Sequence, residues 1–442
     1  MVLIYLLLAI VAIIFLTTRL KVHAFMALLI VSLAYGLFSG MSYGDIITSI
    51  NDGFGGTLGK IGLIIVLGVI IGAFLENTGG AFAIAEKVLK FIGKKRIITA
   101  MGVLGYIVSI PVFADSGFLL LHPLSKSLSK KAKISIAGPA IALGLGLMAS
   151  HTMVPPTPGP IAAAGILGAD LGLVIAFGFP VSIIALIAGL VFASKYASKT
   201  YIEPELIGGA DSERIYKEQP SALKSSIPII IPILLIVLRS ILNPARTGID
   251  NGFVDFLNFV GEPVIALLIG VFLCLLLPKK LEYDMVSSSG WIGKAIMDAA
   301  SIILITGAGG IFGKILQNSG IAETLGDLLS GYNLGIFLPF VIAAAIKSAQ
   351  GSSTVALVTS ASIIFPMMTS LGFETEIQKA LVVIVIGAGS AVVSHANDSF
   401  FWVVTQMSGM NVKNGYRLFS LGSGILGFTG ALAVFVLYTL FA

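Results

Sequence analysis

The chain has 442 residues, of which 57% are hydrophobic and only 11% charged, and its mean hydropathy is +1.02. Soluble domains carry about 25% charged residues, so the composition excludes a soluble enzyme, a disordered chain and a nucleic-acid-binding domain, despite a formal net charge of +5. The single cysteine, Cys274, provides no disulfide or metal framework.

A bilayer core of about 30 Å takes about 20 apolar residues per helix. Residues 1–16 are apolar, with Arg19 and Lys21 after them and no positive charge ahead. That charge order is the reverse of a signal peptide and predicts a first span with its N-terminus outside. Further spans are predicted at about 24–39, 61–76, 134–169 (interrupted), 171–193, 227–243, 262–278, 297–316, 379–410 (interrupted) and 418–441, which makes ten crossings.

Two apolar segments do not fit as simple spans. Residues 97–122 are flanked by Lys87, Lys90, Lys94, Lys95 and Arg96 on one side and Lys126, Lys130, Lys131 and Lys133 on the other. Basic flanks belong in the cytoplasm, and this segment is too short to cross twice. It predicts a re-entrant hairpin from the cytoplasm, turning near Pro111–Gly117. Residues 333–372 have acidic flanks, with Glu323, Asp327, Glu374 and Glu376, and predict a second hairpin from outside. A plain twelve-helix arrangement stays open, because this second segment is long enough for two short helices.

The polar linker 194–226 contains Glu203-Pro204-Glu205 and Asp211-Ser212-Glu213-Arg214. It divides the chain into an N-terminal half, 1–193, and a C-terminal half, 227–442. The halves resemble each other weakly. Leu75-Glu76-Asn77-Thr78-Gly79 falls opposite Leu316-Gln317-Asn318-Ser319-Gly320. Phe113-Ala114-Asp115-Ser116-Gly117 falls opposite Ala349-Gln350-Gly351-Ser352-Ser353, and Ser150-His151-Thr152 opposite Ser394-His395-Ala396. Five predicted spans in each half turn the second copy upside down. Inverted repeats with interrupted helices are a signature of secondary transporters.

Four segments put polar groups inside apolar surroundings. The first hairpin tip carries Asp115, Ser116 and Gly117. A carboxylate at that depth is expensive and usually functional, although Asp115 could simply cap the returning helix. The second tip, Lys347-Ser348-Ala349-Gln350-Gly351-Ser352-Ser353-Thr354, offers hydroxyls and a free helix N-terminus, which suit an anion. It leaves open whether Lys347 meets substrate or snorkels. The first interruption, His151-Thr152-Met153-Val154-Pro155-Pro156-Thr157-Pro158-Gly159-Pro160, forbids regular helix. The second gathers His395, Asn397 and Asp398 after Gly387-Ala388-Gly389-Ser390. His395 and Asp398 could each exchange a proton. The plainer alternatives are helix caps, interhelical hydrogen bonds and an external loop. Glu76 is a weaker coupling candidate. His122, beside Pro123, is expected at the hairpin base. Neither a zinc motif nor a phosphate-binding loop occurs, and no cofactor is expected.

At the Pro-rich run, the Ala349-Gln350-Gly351-Ser352-Ser353-Thr354-Val355-Ala356 tip, the Gly387-Ala388-Gly389-Ser390 and Ser394-His395-Ala396-Asn397-Asp398 segment and the Phe113–Gly117 tip, the chain resembles the gluconate permease family of the ion transporter superfamily. The resemblance covers essentially the whole length. It implies an all-α integral membrane protein of the cytoplasmic (inner) membrane, built from two inverted repeats with an elevator-type fold, a fixed scaffold and a homodimer. It also implies proton-coupled uptake of a small hydroxylated carboxylate: gluconate, a related sugar acid, glycerate or D-serine. Spans 24–39 and 227–278 would form the scaffold. Substrate-binding candidates are then Asp115, Ser116, Gly117, Thr152, Thr157, Gln350, Gly351, Ser352, Ser353, Thr354 and Asn397. Proton-coupling candidates are Asp115, His395 and Asp398. Sodium coupling and cation/proton antiport are the alternatives.

Overall fold

The computed structural model describes residues 2–93, 96–204, 219–242, 251–320, 335–396 and 398–441. All regular structure among these residues is helical. Six helices are long and apolar enough to cross a membrane, or seven if the pair Gly252–Val260 and Pro263–Cys274, bent by 67°, is one span. Ten crossings were predicted. The difference lies in α1 (Val2–Thr18) and α2 (Ala24–Phe38), which fall short of a full span, and in the interrupted segment 379–410, whose arms are short.

The predicted span 61–76 is only the second half of a much longer helix, α3 (Tyr43–Asn77). Asp45, Asp52 and Lys60 dilute its first half, so hydropathy alone stops short. Ser42 caps its start by accepting from the Asp45 backbone N–H at 3.1 Å. At 1.5 Å per residue α3 is about 52 Å long. After α4 (Gly80–Ile92) come α5 (Ile97–Val108) and α6 (Ala114–Lys131), the first hairpin. Its returning arm continues to Lys131 rather than ending at 122, and Pro123 lies within it. The extension carries serines and lysines, which read as a loop by hydropathy. His122, in the middle of this arm, is buried.

The first interrupted segment is α7 (Ala137–Met153) and α8 (Pro158–Leu167), followed by α9 (Leu171–Lys195). Asp170 caps α9 through the Leu173 N–H at 2.9 Å. The linker's charged run 205–218 lies outside the described residues. Then come α10 (Ala222–Ile241), α11 (Gly252–Val260), α12 (Pro263–Cys274) and the long α13 (Trp291–Asn318). Residues 321–334, including Glu323, Asp327 and the start of the second predicted hairpin, also lie outside. The hairpin itself is α14 (Phe337–Gln350) and α15 (Ser353–Ile364). Its arms are about 21 and 18 Å long, too short to cross a core of about 30 Å. The second interrupted segment is α16 (Glu376–Ala391) and α17 (Ser399–Met407), and α18 (Leu421–Phe441) ends the chain after a π-helical stretch, Gly415–Ser420.

The packing is reciprocal. Helix α5 lies along α7 as α14 lies along α16, and α9 packs on α7 as α18 packs on α16. Helices α7 and α16 are buried almost throughout, whereas α10 and α18 expose apolar faces such as Ile230, Leu234, Phe428 and Leu432. The long helices α3 and α13 cross closely. A Cβ on Gly53 would stand 2.6 Å from the Gly310 carbonyl oxygen, and one on Gly310 2.2 Å from Thr57 Oγ1. Small residues let helix backbones approach where lipid gives no hydrophobic drive. Asn318 Nδ2 adds a 2.8 Å bond to Ser49 Oγ at the end of this seam. Gly53→Ala must therefore push the two backbones apart, and we expect a loss of about 1–3 kcal/mol. Gly59→Ala, where a Cβ meets nothing within 4 Å, should leave the melting temperature of the detergent-purified protein unchanged or slightly raised.

Candidate functional site

Gly351 ends α14 with φ +91°, a left-handed conformation open to glycine at little cost. The chain reverses there, and Ser352 starts α15 by accepting from the Val355 N–H at 3.3 Å. Gln350 stabilises the turn: its Nε2 donates to the Ser352 carbonyl at 2.6 Å and its Oε1 accepts from the Ser352 N–H at 3.3 Å. Ser353 Oγ donates to the Ser390 carbonyl at 2.9 Å and pins the tip to α16.

Lys347 holds this arrangement together. It is only 1% exposed. Its ammonium donates to the Gly351 carbonyl and to Asp398 Oδ2, the latter at 2.7 Å. Asp398 is fully engaged. Its Oδ2 also accepts from the Ser394 hydroxyl, and its Oδ1 accepts from the Phe400 N–H at 3.0 Å, which caps α17. Ser394 is tied in turn to Ser423 through its N–H and to Ser420 through its carbonyl. One ion pair thus joins the second hairpin tip, the second helix break and the start of the last helix.

The first tip differs. The N-cap of α6 is Phe113, and no side chain caps it. Asp115 therefore does not serve as the cap; it sits in the first turn, where the positive end of the helix dipole favours a carboxylate. Its Oδ1 is buried without a hydrogen-bond partner among the described residues. In the first break, Thr152 Oγ1 donates to the Met148 carbonyl at 2.9 Å and Thr157 Oγ1 to the Val154 carbonyl at 2.6 Å. The Pro155-Pro156 bond is cis.

These segments enclose a cavity of about 250 Å³. Asp115, His151, Thr152, Gln350, Ser352, Ser353, Thr354 and Asp398 line it, with Ala114, Met148, Ser399 and Phe400. Three helix N-termini converge on it: α6 at Ala114 and Asp115, α15 at Ser353 and Thr354, and α17 at Ser399 and Phe400. Each brings the partial positive charge of a helix N-terminus, with the Val355 N–H of α15 already taken by Ser352 and the Phe400 N–H of α17 by Asp398. The wall is therefore a set of anion-favouring N-termini and hydroxyls around one carboxylate, Asp115, and one ion-paired carboxylate, Asp398.

Other predicted residues fall elsewhere. Thr157 lines a small neighbouring space shared with Pro111 and Pro156. Gly117 packs against Leu147, where a Cβ would stand 2.6 Å from Cδ2. Gly351 has its carbonyl on Lys347. Ser116 and Gly117 do not line the cavity. His395 is also outside it, with its Nε2–H donated to the Ser348 carbonyl at 2.7 Å. Glu76 lies near the end of α3, away from the lining set. Asn397 lies outside the described residues. Two groups escaped the sequence reading. His151 is a lining residue whose Nδ1 is buried and unpartnered among the described residues; its place beside Thr152 in the Pro-rich run could have flagged it. Lys347 was seen but not matched with Asp398.

The sequence profile of the GntP family permeases matches residues 1–440. The chain belongs to the GntP permease family. A permease of Haemophilus influenzae is 36% identical over 99% of this chain and 92% of its own length. A gluconate permease of Pseudomonas aeruginosa is 33% identical over 98% and 96%. Among solved structures, the YdaH transporter of Alcanivorax borkumensis superposes with a TM-score of 0.64 over 89% of this chain and 88% of that one, at 12% identity. That likeness shows a shared transporter fold. This GntP-family chain is a multi-pass inner-membrane permease and not an enzyme.

In this GntP permease, removal of either partner of the buried pair strands a charge. Lys347→Met and Asp398→Asn should each destabilise the protein by about 3–5 kcal/mol. The double variant should recover at least about 1 kcal/mol relative to the sum of the singles. Thermal melts of the four proteins in detergent test this; additive losses would show that the pair is not coupled.

Proposed function

We propose that this permease imports gluconate, or a related small hydroxylated carboxylate such as another sugar acid, glycerate or D-serine, by proton symport. The observation that carries the reading is the convergence of three helix N-termini and the hydroxyls of Ser352, Ser353 and Thr354 on one small polar cavity. A helix N-terminus binds carboxylates through free N–H groups and its dipole. At about 250 Å³ the cavity is smaller than most ligand pockets, which run to roughly 300–1,000 Å³, and suits a compact acid. The Pseudomonas aeruginosa relative, named for gluconate, points the same way.

The substrate carboxylate sits at the α15 N-terminus, and its hydroxyls meet Asp115, Thr152 and the polar face of the tip. Asp115 carries the proton. Of the proton candidates it alone lines the cavity without an ion-pair partner: Asp398 is paired to Lys347, and His395 is turned away to Ser348. The two halves, 1–193 and 227–442, are inverted repeats; the reciprocal packing of α5–α7–α9 and α14–α16–α18 supports this. The hairpins and interrupted helices move as one unit against a scaffold containing α2 and α10 to α12, in a homodimer. The contact of the second tip with α16, and of α8 with α15, supports a single moving body.

In liposomes with an alkaline interior, the purified protein should accumulate labelled gluconate until an uncoupler collapses the gradient. Asp115→Asn should lower that accumulation at least about tenfold. Accumulation that follows a sodium gradient and ignores pH would replace proton with sodium coupling. A protein that moves no hydroxy acid at all would sink the reading.

A further inference from the structure

Helix α6 carries Asp115, Phe118, His122, Ser125 and Ser129 at spacings of three and four residues, which puts them on one face. All but Asp115 are buried. His122 Nε2 is 2.9 Å from the Met407 carbonyl, at the end of α17. A carbonyl only accepts, so Nε2 bears the hydrogen and Nδ1 is left as an acceptor. Nδ1 has no partner among the described residues. Neither do the hydroxyls of Ser125, Ser129 and Ser408, the last beside Met407. Four orphaned polar atoms on one helix face and the adjoining helix end are unusual, since buried polar groups are nearly always satisfied, often by internal water. The face is about 21 Å long from Asp115 to Ser129, and it ends at Lys130 and Lys131, on the side that basic residues mark as cytoplasmic.

We propose that this seam is a hydrated route by which the coupled proton leaves Asp115 for the cytoplasm. The inference rests on the proton-symport reading. The proton departs from the Asp115 carboxyl group and passes along water held by the serine hydroxyls. His122 positions that water by accepting at Nδ1, and the proton is released beside Lys130. Phe118, stacked on His122 at 4.9 Å and set edge-on to the cavity residue Phe400 at 6.1 Å, stands between cavity and seam and keeps them apart in this conformation. The other titratable groups on neighbouring elements are Lys126 on α6 itself, Tyr106 on α5 and His151 on α7; α17 carries none.

The test compares two rates in liposomes: gluconate counterflow, which needs no net proton movement, and net uptake driven by a pH gradient. Ser125→Val, Ser129→Val and His122→Phe should slow net uptake about tenfold with counterflow near the wild-type rate, and His122→Asn should restore part of it. Unchanged rates, or a parallel fall in both, overturn the route. Separately, Ser125→Cys and Ser129→Cys, placed in a Cys274→Ala background, should react with a small methanethiosulfonate reagent; two unreactive thiols in folded protein overturn the hydrated seam. Wild-type protein that ignores the pH gradient overturns the symport reading itself, and the thiol experiment still decides whether the seam is wet.

Discussion

The ion pair between Lys347 and Asp398 holds the second hairpin tip, the second helix break and the start of the last helix to one another. Two charges withdrawn from water are tolerated only when they meet each other and have their remaining hydrogen-bonding capacity filled. Here both conditions are met by unwound backbone. The ammonium takes the Gly351 carbonyl, which the turn of the second tip leaves exposed, and the carboxylate takes the Phe400 N–H, which the start of α17 leaves exposed. The pair therefore does more than cancel charge. It satisfies groups that two broken helices strand in an apolar interior, where an unmet backbone group costs several kcal/mol. Parting the second tip from the second break would separate these charges, so the pair ties the two segments to each other.

The first half solves the same problem without charges. Its unwound carbonyls are covered by close helix backbones. The Pro111 carbonyl lies against α3 at Gly72, and the Thr152 carbonyl lies against α16 at Gly387, so near that a Cβ at either glycine would stand about 2.1–2.2 Å from the oxygen. Thr157 closes the break on itself through the Val154 carbonyl. The two breaks thus meet the same demand with different chemistry. The asymmetry leaves Asp115 as the cavity's carboxylate with no cation of its own, facing a second tip already neutralised from within.

Much of this was legible in the sequence because proline and glycine announce broken helices wherever they fall. The run from Val154 to Pro160 marks the first break, and Gly351 marks the second tip, by backbone geometry alone. Asp115, Thr152 and the hydroxyls from Ser352 to Thr354 followed from their places beside those marks. What was hidden depends on contacts distant in the chain. Lys347 and Asp398 are separated by 51 positions, and nothing local to either names the other. The full extent of α3 was hidden because Asp45, Asp52 and Lys60 interrupt hydropathy while the fit of Gly53 on Gly310 keeps the helix whole. Gln350 lines the cavity, and its amide also holds the Ser352 backbone, a contact its position did not announce. The bond from His395 to the Ser348 carbonyl, outside the cavity lining, was hidden in the same way.

Under the proposed symport, the charges around the cavity would make proton and substrate help each other in. An organic anion drawn to the N-termini of α15 and α17 would come to rest in a space of about 250 Å³ that already contains Asp115. Two negative charges confined so closely repel strongly in a medium of reduced dielectric, and Lys347 offers little relief, since Asp398 and Gly351 hold its ammonium. A proton on Asp115 would remove the repulsion and turn the carboxylate into a donor for a substrate hydroxyl. Each cargo then raises the affinity for the other by the same factor, as linkage requires. Coupling of this kind needs no large machinery: it needs one carboxylate left without a cation, in a wall where every other charge is already matched.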